Sequence, residues 1–281
     1  MKTYIPRFAP YMSTPEIVWH YVLRSANVMV LLFLILPILA IIPLSFNENS
    51  FLVYPIHQFS FRWYHNLFTA VEWTRAGVNS FIVTPIATVL ATVLGTLAAL
   101  GLNKASFKGK GVLVAILISP MIVPVIVTGV GMYLQFARWG LSGTYAGLIF
   151  GHTVIAAPFV VVTVNATLAG FNHNYVRASL SLGASPVRVF MQVKLPIIAP
   201  GVVSGALFAF ATSFDEIVVA LFLTGTDQRT VPRQMWSGIR EQLSPTILAV
   251  ATVLVVISTL LLITLELLRR RSERLRGAAA A

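Results

Sequence analysis

Residues 167–200 read TLAGFNHNYVRASLSLGASPVRVFMQVKLPIIAP, and the rest of the chain is parsed outward from this stretch. Residues 174–182 suit a short helix, which Gly183 can end because it adopts left-handed backbone without a Cβ clash. Ser185 is then a good N-cap, and Pro186 falls at the first helical position, where its missing N–H does no harm. A second helix is predicted over 186–194, with Val187, Phe190, Met191 and Lys194 at helical spacing, and Leu195 with Pro196 is expected to end it. Arg177, Arg188 and Lys194 make the pair basic. Two readings fit such a helix-turn-helix: a docking element, or an amphipathic loop lying on lipid headgroups.

On either side of this stretch the chain is apolar. Of 281 residues 57% are hydrophobic and only 10% charged, with no cysteine. An ordinary soluble domain carries about a quarter charged residues. The absence of cysteine excludes disulfide scaffolds, Cys-ligated zinc, iron–sulfur clusters and thiol nucleophiles. A membrane helix needs about 20 residues free of charge to cross about 30 Å of hydrocarbon. Such gaps run over 25–47, 76–103 and 111–137, and a weaker one over 143–166 contains Gly143, Gly147, Gly151 and Pro158. A fifth opens at Lys194 and meets Asp215, and a sixth lies between Glu241 and Glu266. The expectation is an all-α polytopic membrane protein with six transmembrane helices.

Six spans put both termini on one side. Fourteen Lys and Arg fall on that side against six on the other, so both termini are expected in the cytoplasm. The net charge of +11 is then mostly a topology signal. Asn47 and Glu48, rather than a small-residue cleavage site, follow the first apolar stretch, which therefore reads as an uncleaved anchor. The loops are too short for a soluble catalytic domain.

A phosphate cradle of the form GxxxxGK[ST] is absent, since Gly109–Lys110 lacks both the upstream glycine and the following Ser or Thr. His20, His57, His65, His152 and His173 show no metal-binding spacing. Asp215 and Glu216 are adjacent, so on a helix they point about 100° apart and make a poor proton-sharing pair. No metal site or catalytic residue is assigned, and the chain is not expected to be an enzyme.

From Gly183, nine residues lead to Val193, any residue, Leu195 and Pro196. This spacing resembles the EAA signature of permease subunits of type I, binding-protein-dependent ABC importers, in which EAA-xxx-G precedes nine residues and I-x-LP. Arg177, Ala178 and Ser179 stand where the family has Glu-Ala-Ala, so only the middle residue matches. The resemblance spans about 76–268 and implies the type I ABC importer permease fold. With the spans and charges read above, the expected organisation is a cytoplasmic segment 1–25, a first helix and outer loop 26–75, a five-helix permease core 76–268 with coupling loop 167–199, and a basic tail 269–281. The resemblance also implies an ATPase-coupling role for Arg177, Ala178, Gly183, Ala184, Ser185, Pro186, Val193, Leu195 and Pro196. The expected partners are two ATPase subunits holding ATP and Mg²⁺, a second permease subunit that is a paralogue of this one, and an outer-face substrate-binding protein, in a bacterial inner (cytoplasmic) membrane. No cofactor is expected on this chain and no nucleic acid among its partners.

SFDEIVVALFLTG, residues 213–225, followed by TVPRQMWSGIREQLSPT, resembles the spermidine/putrescine branch of these permeases. Carboxylates at membrane depth cost about 2.5 to 3.5 kcal/mol each and by default face protein or a watery path. Asp215 and Glu216 therefore read as a cation-attracting patch in the substrate path, as an interhelical polar contact, or as a true span end with the acids at the interface. Residues 231–243 form an amphipathic helix with Val231, Met235, Trp236, Ile239 and Leu243 on one face. With Arg233, Trp236 and Arg240 it is either a docking surface for the binding protein or an interface anchor. Trp63, Tyr64 and Trp73 read as an interfacial aromatic belt rather than a cation cage. The alternatives are an ion-gradient-driven transporter or channel with Asp215 or Glu216 carrying the proton, and an ABC permease for an amino acid, an opine or an anion.

Overall fold

The structure, a computed structural model, describes residues 13–51, 54–104, 106–241, 244–260 and 263. These are almost wholly helical. They fall into two compact units, residues 69–242 and a second made of 1–68 with 243–281.

The larger unit is built on three long helices, α3 (Val71–Lys104), α6 (Tyr145–Ala169) and α9 (Leu195–Phe214). They approach closely because small residues line their contacts, which is how helices pack in lipid, where apolar burial alone gives no advantage. Ala87, Ala91 and Ala99 of α3, Ala156 of α6 and Ala209 of α9 are fully buried. A Cβ on Gly95 would come within 2.7 Å of the Val160 side chain, and one on Gly201 would land on the Thr167 hydroxyl. Although its sequence signal was the weaker one, α6 is the most enclosed of the spanning helices. Thr144 starts it as N-cap, accepting from Gly147 N–H at 3.1 Å. Buried Pro158 sits inside α6 without ending it.

Between α3 and α6 the predicted single span 111–137 is two helices, α4 (Lys110–Ile122) and α5 (Val125–Arg138), bent by 106°. The cause is Pro124, whose ring drives the preceding residue out of helical space. Val123 is accordingly extended, at φ −68° and ψ 135°. Beyond α6 come α7 (Asn174–Ser181), α8 (Pro186–Val189), a π turn (Phe190–Lys194), α9, α10 (Val218–Leu223) and α11 (Val231–Glu241).

In the other unit, α1 (Thr14–Leu44) starts inside the segment read as an N-terminal tail, with Ser13 and Glu16 forming a capping box. Past its C-terminal end Glu48 N–H donates to Gln58 O at 3.1 Å and Ser60 N–H to Phe46 O at 2.7 Å, just ahead of α2 (Arg62–Thr69). Trp63 Nε1 donates to Asn47 O at 2.6 Å, and Tyr64 Oη lies 2.6 Å from Ser45 Oγ. Trp63 and Trp73 are buried, so they serve as packing groups and not as the exposed belt expected of them. The apolar helix α12 (Thr246–Leu260) is tied to this unit by Thr246 Oγ1 donating to Asn66 at 3.2 Å.

The described residues thus hold four helices long and apolar enough to span a membrane, five if the bent α4–α5 pair counts as one. The sixth expected span corresponds to α12, which is shorter in its described part. The basic tail 269–281 lies outside the described residues.

Candidate functional site

The turn between α7 and α8 is held by the two bonds of a Schellman motif, Ala184 N–H to Ser179 O at 3.1 Å and Gly183 N–H to Leu180 O at 2.9 Å. Gly183 takes φ +82°, the left-handed conformation read from its sequence position. Ser185 caps α8, accepting from Arg188 N–H, with Pro186 in the first turn. Leu195 and Pro196 do not end this second helix as expected. Leu195 N–H reaches back to Phe190 O, five residues, and the widened turn carries the chain straight from Pro186 into α9. A π turn absorbs the register that a proline would otherwise break.

The loop has two faces. Its inner face is rooted in the core, where Phe171 and Ile198 are buried and Val176 and Leu195 pack against the same cluster. The outer face presents Tyr175, Leu180, Leu182, Val187 and Met191, with Leu182 88% and Val187 72% exposed. Arg177, Ala178 and Arg188 are exposed beside them, as are Ser185 and Pro186, whereas Ala184 and Val193 are half-buried. An exposed apolar tip that carries two arginines, on a base packed against the core, is a surface suited to seating in a groove.

At the far end of α9, about 30 Å from Leu195 by its 20 residues of rise, the structure separates the two acids. Asp215 ends α9 and is exposed, with no hydrogen bond or salt bridge to its carboxylate among the described residues. Glu216 turns inward, its Oε1 accepting from Val219 N–H at 2.8 Å at the start of α10. Next to them His152 Nδ1 lies 3.0 Å from Ser213 Oγ, fully buried, and joins α6 to the last turn of α9. This histidine is a core polar contact, and among the described residues no group of three potential ligands could hold a metal.

The segment leading to α11 is latched to α3 chiefly by neutral polar residues, which leave no mark in the charge pattern of the sequence. Asn79 Nδ2 donates to Asp227 O at 2.7 Å and Arg229 O at 2.8 Å, and Tyr145 Oη donates to Asn79 Oδ1 at 2.7 Å. Val231 N–H donates to Ser80 Oγ at 2.9 Å. An exposed Arg75–Asp227 ion pair closes the same latch. Beside it a cavity of about 220 Å³ is lined by Glu72, Arg75, Asn79, Thr226, Arg229 and Gln234, and it does not include the Asp215–Glu216 pair. On α11, Trp236 and Ile239 are exposed and the Arg240 guanidinium lies 5.4 Å from the Trp236 ring centre. Arg233 instead turns inward to the buried Ser237 hydroxyl, and Leu243 lies outside the described residues.

Comparison with known proteins gives a consistent match. The family described as binding-protein-dependent transport system inner membrane component matches residues 91–274. The chain is 31% identical over 254 residues to the spermidine/putrescine transport system permease protein PotC of Haemophilus influenzae, covering 90% of this chain and 98% of that protein. It is 30% identical to the putrescine transport system permease protein PotI of Escherichia coli, covering 79% and 81%. In fold it resembles a bacterial ABC transporter involved in the import of the acidic polysaccharide alginate, with a TM-score of 0.71, 14% identity, and 92% and 98% coverage.

Proposed function

This chain belongs to the family of binding-protein-dependent transport system inner membrane components, and we propose that it forms part of the translocation path for a small organic cation of the polyamine class. A protein of this family is a polytopic permease of an ABC importer and not itself an enzyme. In the proposed assembly it works in a bacterial inner membrane with both termini in the cytoplasm and six spans. A second permease subunit completes the path, and two separate ATPase subunits hold the ATP and Mg²⁺. No cofactor is assigned to this chain.

The observation that carries the reading is one continuous rod. From Pro186 through the π turn to Phe214 the backbone stays helical, with an apolar docking tip at one end and an exposed carboxylate at the other. In this reading the α7–α8 loop seats in a groove of the ATPase, and motion of that groove is carried by the rod to Asp215. A bent or hinged helix would dissipate such a motion; buried Ile198, the half-buried Leu195 beside it and the close α9–α6 packing oppose that. Asp215 attracts the cation, and Glu216 shapes the break that places it. The exposed Trp236–Arg240 edge of α11, fixed by the Asn79 latch, is the surface offered to the binding protein.

Between the polyamine reading and an anionic substrate, the free carboxylate of Asp215 and the similarity to two amine permeases both favour the cation. The test is a mild-detergent pull-down of the tagged chain from its native membrane, with mass spectrometry of what accompanies it. The expected companion is an ATPase bearing a phosphate-binding loop, retained by the native chain and lost with Leu182→Asp and Val187→Asp. Recovery of the chain alone in repeated attempts would refute the assembly.

A further inference from the structure

The buried side of α9 follows Ile198, Gly201, Gly205, Ala209 and Ser213. On a neighbouring side, about 110° round the helix from that line, Ser204, Phe208, Ala211 and Asp215 are exposed. At about 100° per residue these four lie within about 60° of arc, a single stripe along the helix. Within it Phe208 is 54% exposed and stacks on Phe159 of α6, with ring centres 6.4 Å apart and planes inclined by 26°. Between Phe208 and Asp215 stands Ala211, whose methyl leaves room for a thin chain to lie along the helix.

We propose that this stripe measures substrate length: Asp215 takes one terminal ammonium of a linear amine, and the exposed face of Phe208, buttressed by Phe159, takes the other. The inference rests on the polyamine reading above and adds a specificity-determining pair to it. An ammonium is attracted to the face of an aromatic ring by the ring's quadrupole, more strongly where water is excluded. Phe208 and Asp215 are seven residues apart, about 10.5 Å along the axis. An extended chain advances about 1.25 Å per bond. A triamine with four- and three-carbon spacers has nine bonds between its end nitrogens, about 11 Å. A diamine with a four-carbon spacer has five bonds, about 6 Å. The longer cation reaches both groups at once, and the shorter one engages them one at a time.

The test is ATP-driven uptake of labelled spermidine and putrescine by the complete transporter with its binding protein, reconstituted in vesicles. Since every variant meets the same binding protein, that protein's own preference cancels from the ratio of the two uptakes. With Phe208→Leu the triamine-to-diamine ratio is expected to fall about three- to tenfold, and with Phe208→Tyr, which keeps the ring, it should stay near the native value. Unlabelled 1,8-diaminooctane, with the same nine-bond span, should compete with spermidine better against the native chain than against Phe208→Leu. A ratio unchanged in Phe208→Leu, whether both uptakes persist or fall equally, would overturn the length measurement and leave the amine reading intact. A native transporter that moves neither amine would overturn both.

Discussion

Replacing Gly205 by alanine puts a methyl group where α9 and α6 nearly touch. The new Cβ would stand 2.5 Å from Thr163 Oγ1 and 3.0 Å from the Val160 Cα. Ordinary contact needs about 3.5 to 4.0 Å, so α9 has to withdraw by about 0.5 to 1 Å. The Thr163 hydroxyl can be displaced, but the Val160 Cα is backbone of the best-buried helix and cannot. Overpacking of this kind costs about 1 to 3 kcal/mol. The same withdrawal stretches the His152–Ser213 contact, now 3.0 Å, two turns further along, past hydrogen-bond range. Thermal unfolding of the solubilised chain should therefore show Gly205→Ala destabilised by about 1 to 3 kcal/mol. Gly131→Ala, whose Cβ meets nothing within 4 Å, should be neutral or gain up to about 1 kcal/mol in helix propensity. Adding Thr163→Ala to Gly205→Ala removes the nearer clash only, so it should restore part of the loss, a coupling of about 0.5 kcal/mol or more. If Gly205→Ala is as stable as Gly131→Ala, the tight α9–α6 contact does not hold and the rigid-rod argument falls with it.

The other expectations follow from separate parts of the chain. Gly183→Pro, which fits neither φ +82° nor the N–H bond to Leu180, should abolish substrate-stimulated ATP hydrolysis of the assembled transporter while leaving membrane insertion intact; normal stimulation would remove the coupling role. Asp215→Asn should cut amine uptake without changing the melting temperature, whereas Glu216→Ala, which removes the acceptor for Val219 N–H, should weaken the start of α10 and lower stability by about 0.5 to 2 kcal/mol; the reverse pattern would exchange their roles. Asn79→Ala leaves the Asp227 and Arg229 carbonyls without a donor and should cost about 2 to 3 kcal/mol. Asp227→Asn, which breaks only an exposed ion pair, should cost no more than about 1 kcal/mol; equal losses in these two variants would contradict the latch.

Much of the architecture was legible in the chain because charge is so costly in hydrocarbon that its absence marks the spans. The uncharged gap from Arg75 to Lys104 gave α3 nearly to its ends, and Gly183, Ser185 and Pro186 gave the turn between the loop helices. What escaped depends on backbone response. Prolines at 120, 124 and 158 look alike in sequence, yet only Val123–Pro124 breaks a span, since only there does the preceding residue go extended. Leu195–Pro196 read as a stop, but the π turn ahead of it lets the helix run through. Asn79 and Ser80 carry no charge and so leave no mark in the pattern of uncharged gaps, although neutral polar groups at the start of a span are where a loop would find hydrogen bonds. The adjacency of Asp215 and Glu216 gave no means of ranking them, because the break at 215–217 that turns one outward and caps α10 with the other has no clear marker in the sequence. The Gly201-xxx-Gly205 spacing was a readable sign of close helix packing that the charge-gap reading did not use.

The central claim is tested most directly by reconstituting the chain with its second permease subunit, its ATPase and its binding protein, and measuring labelled spermidine uptake with and without ATP. The account predicts uptake that needs both ATP and the binding protein, and that is lost when Val187→Asp disables the exposed tip while the chain still inserts. Amine uptake by the chain alone, driven by an ion gradient and indifferent to ATP, would contradict it.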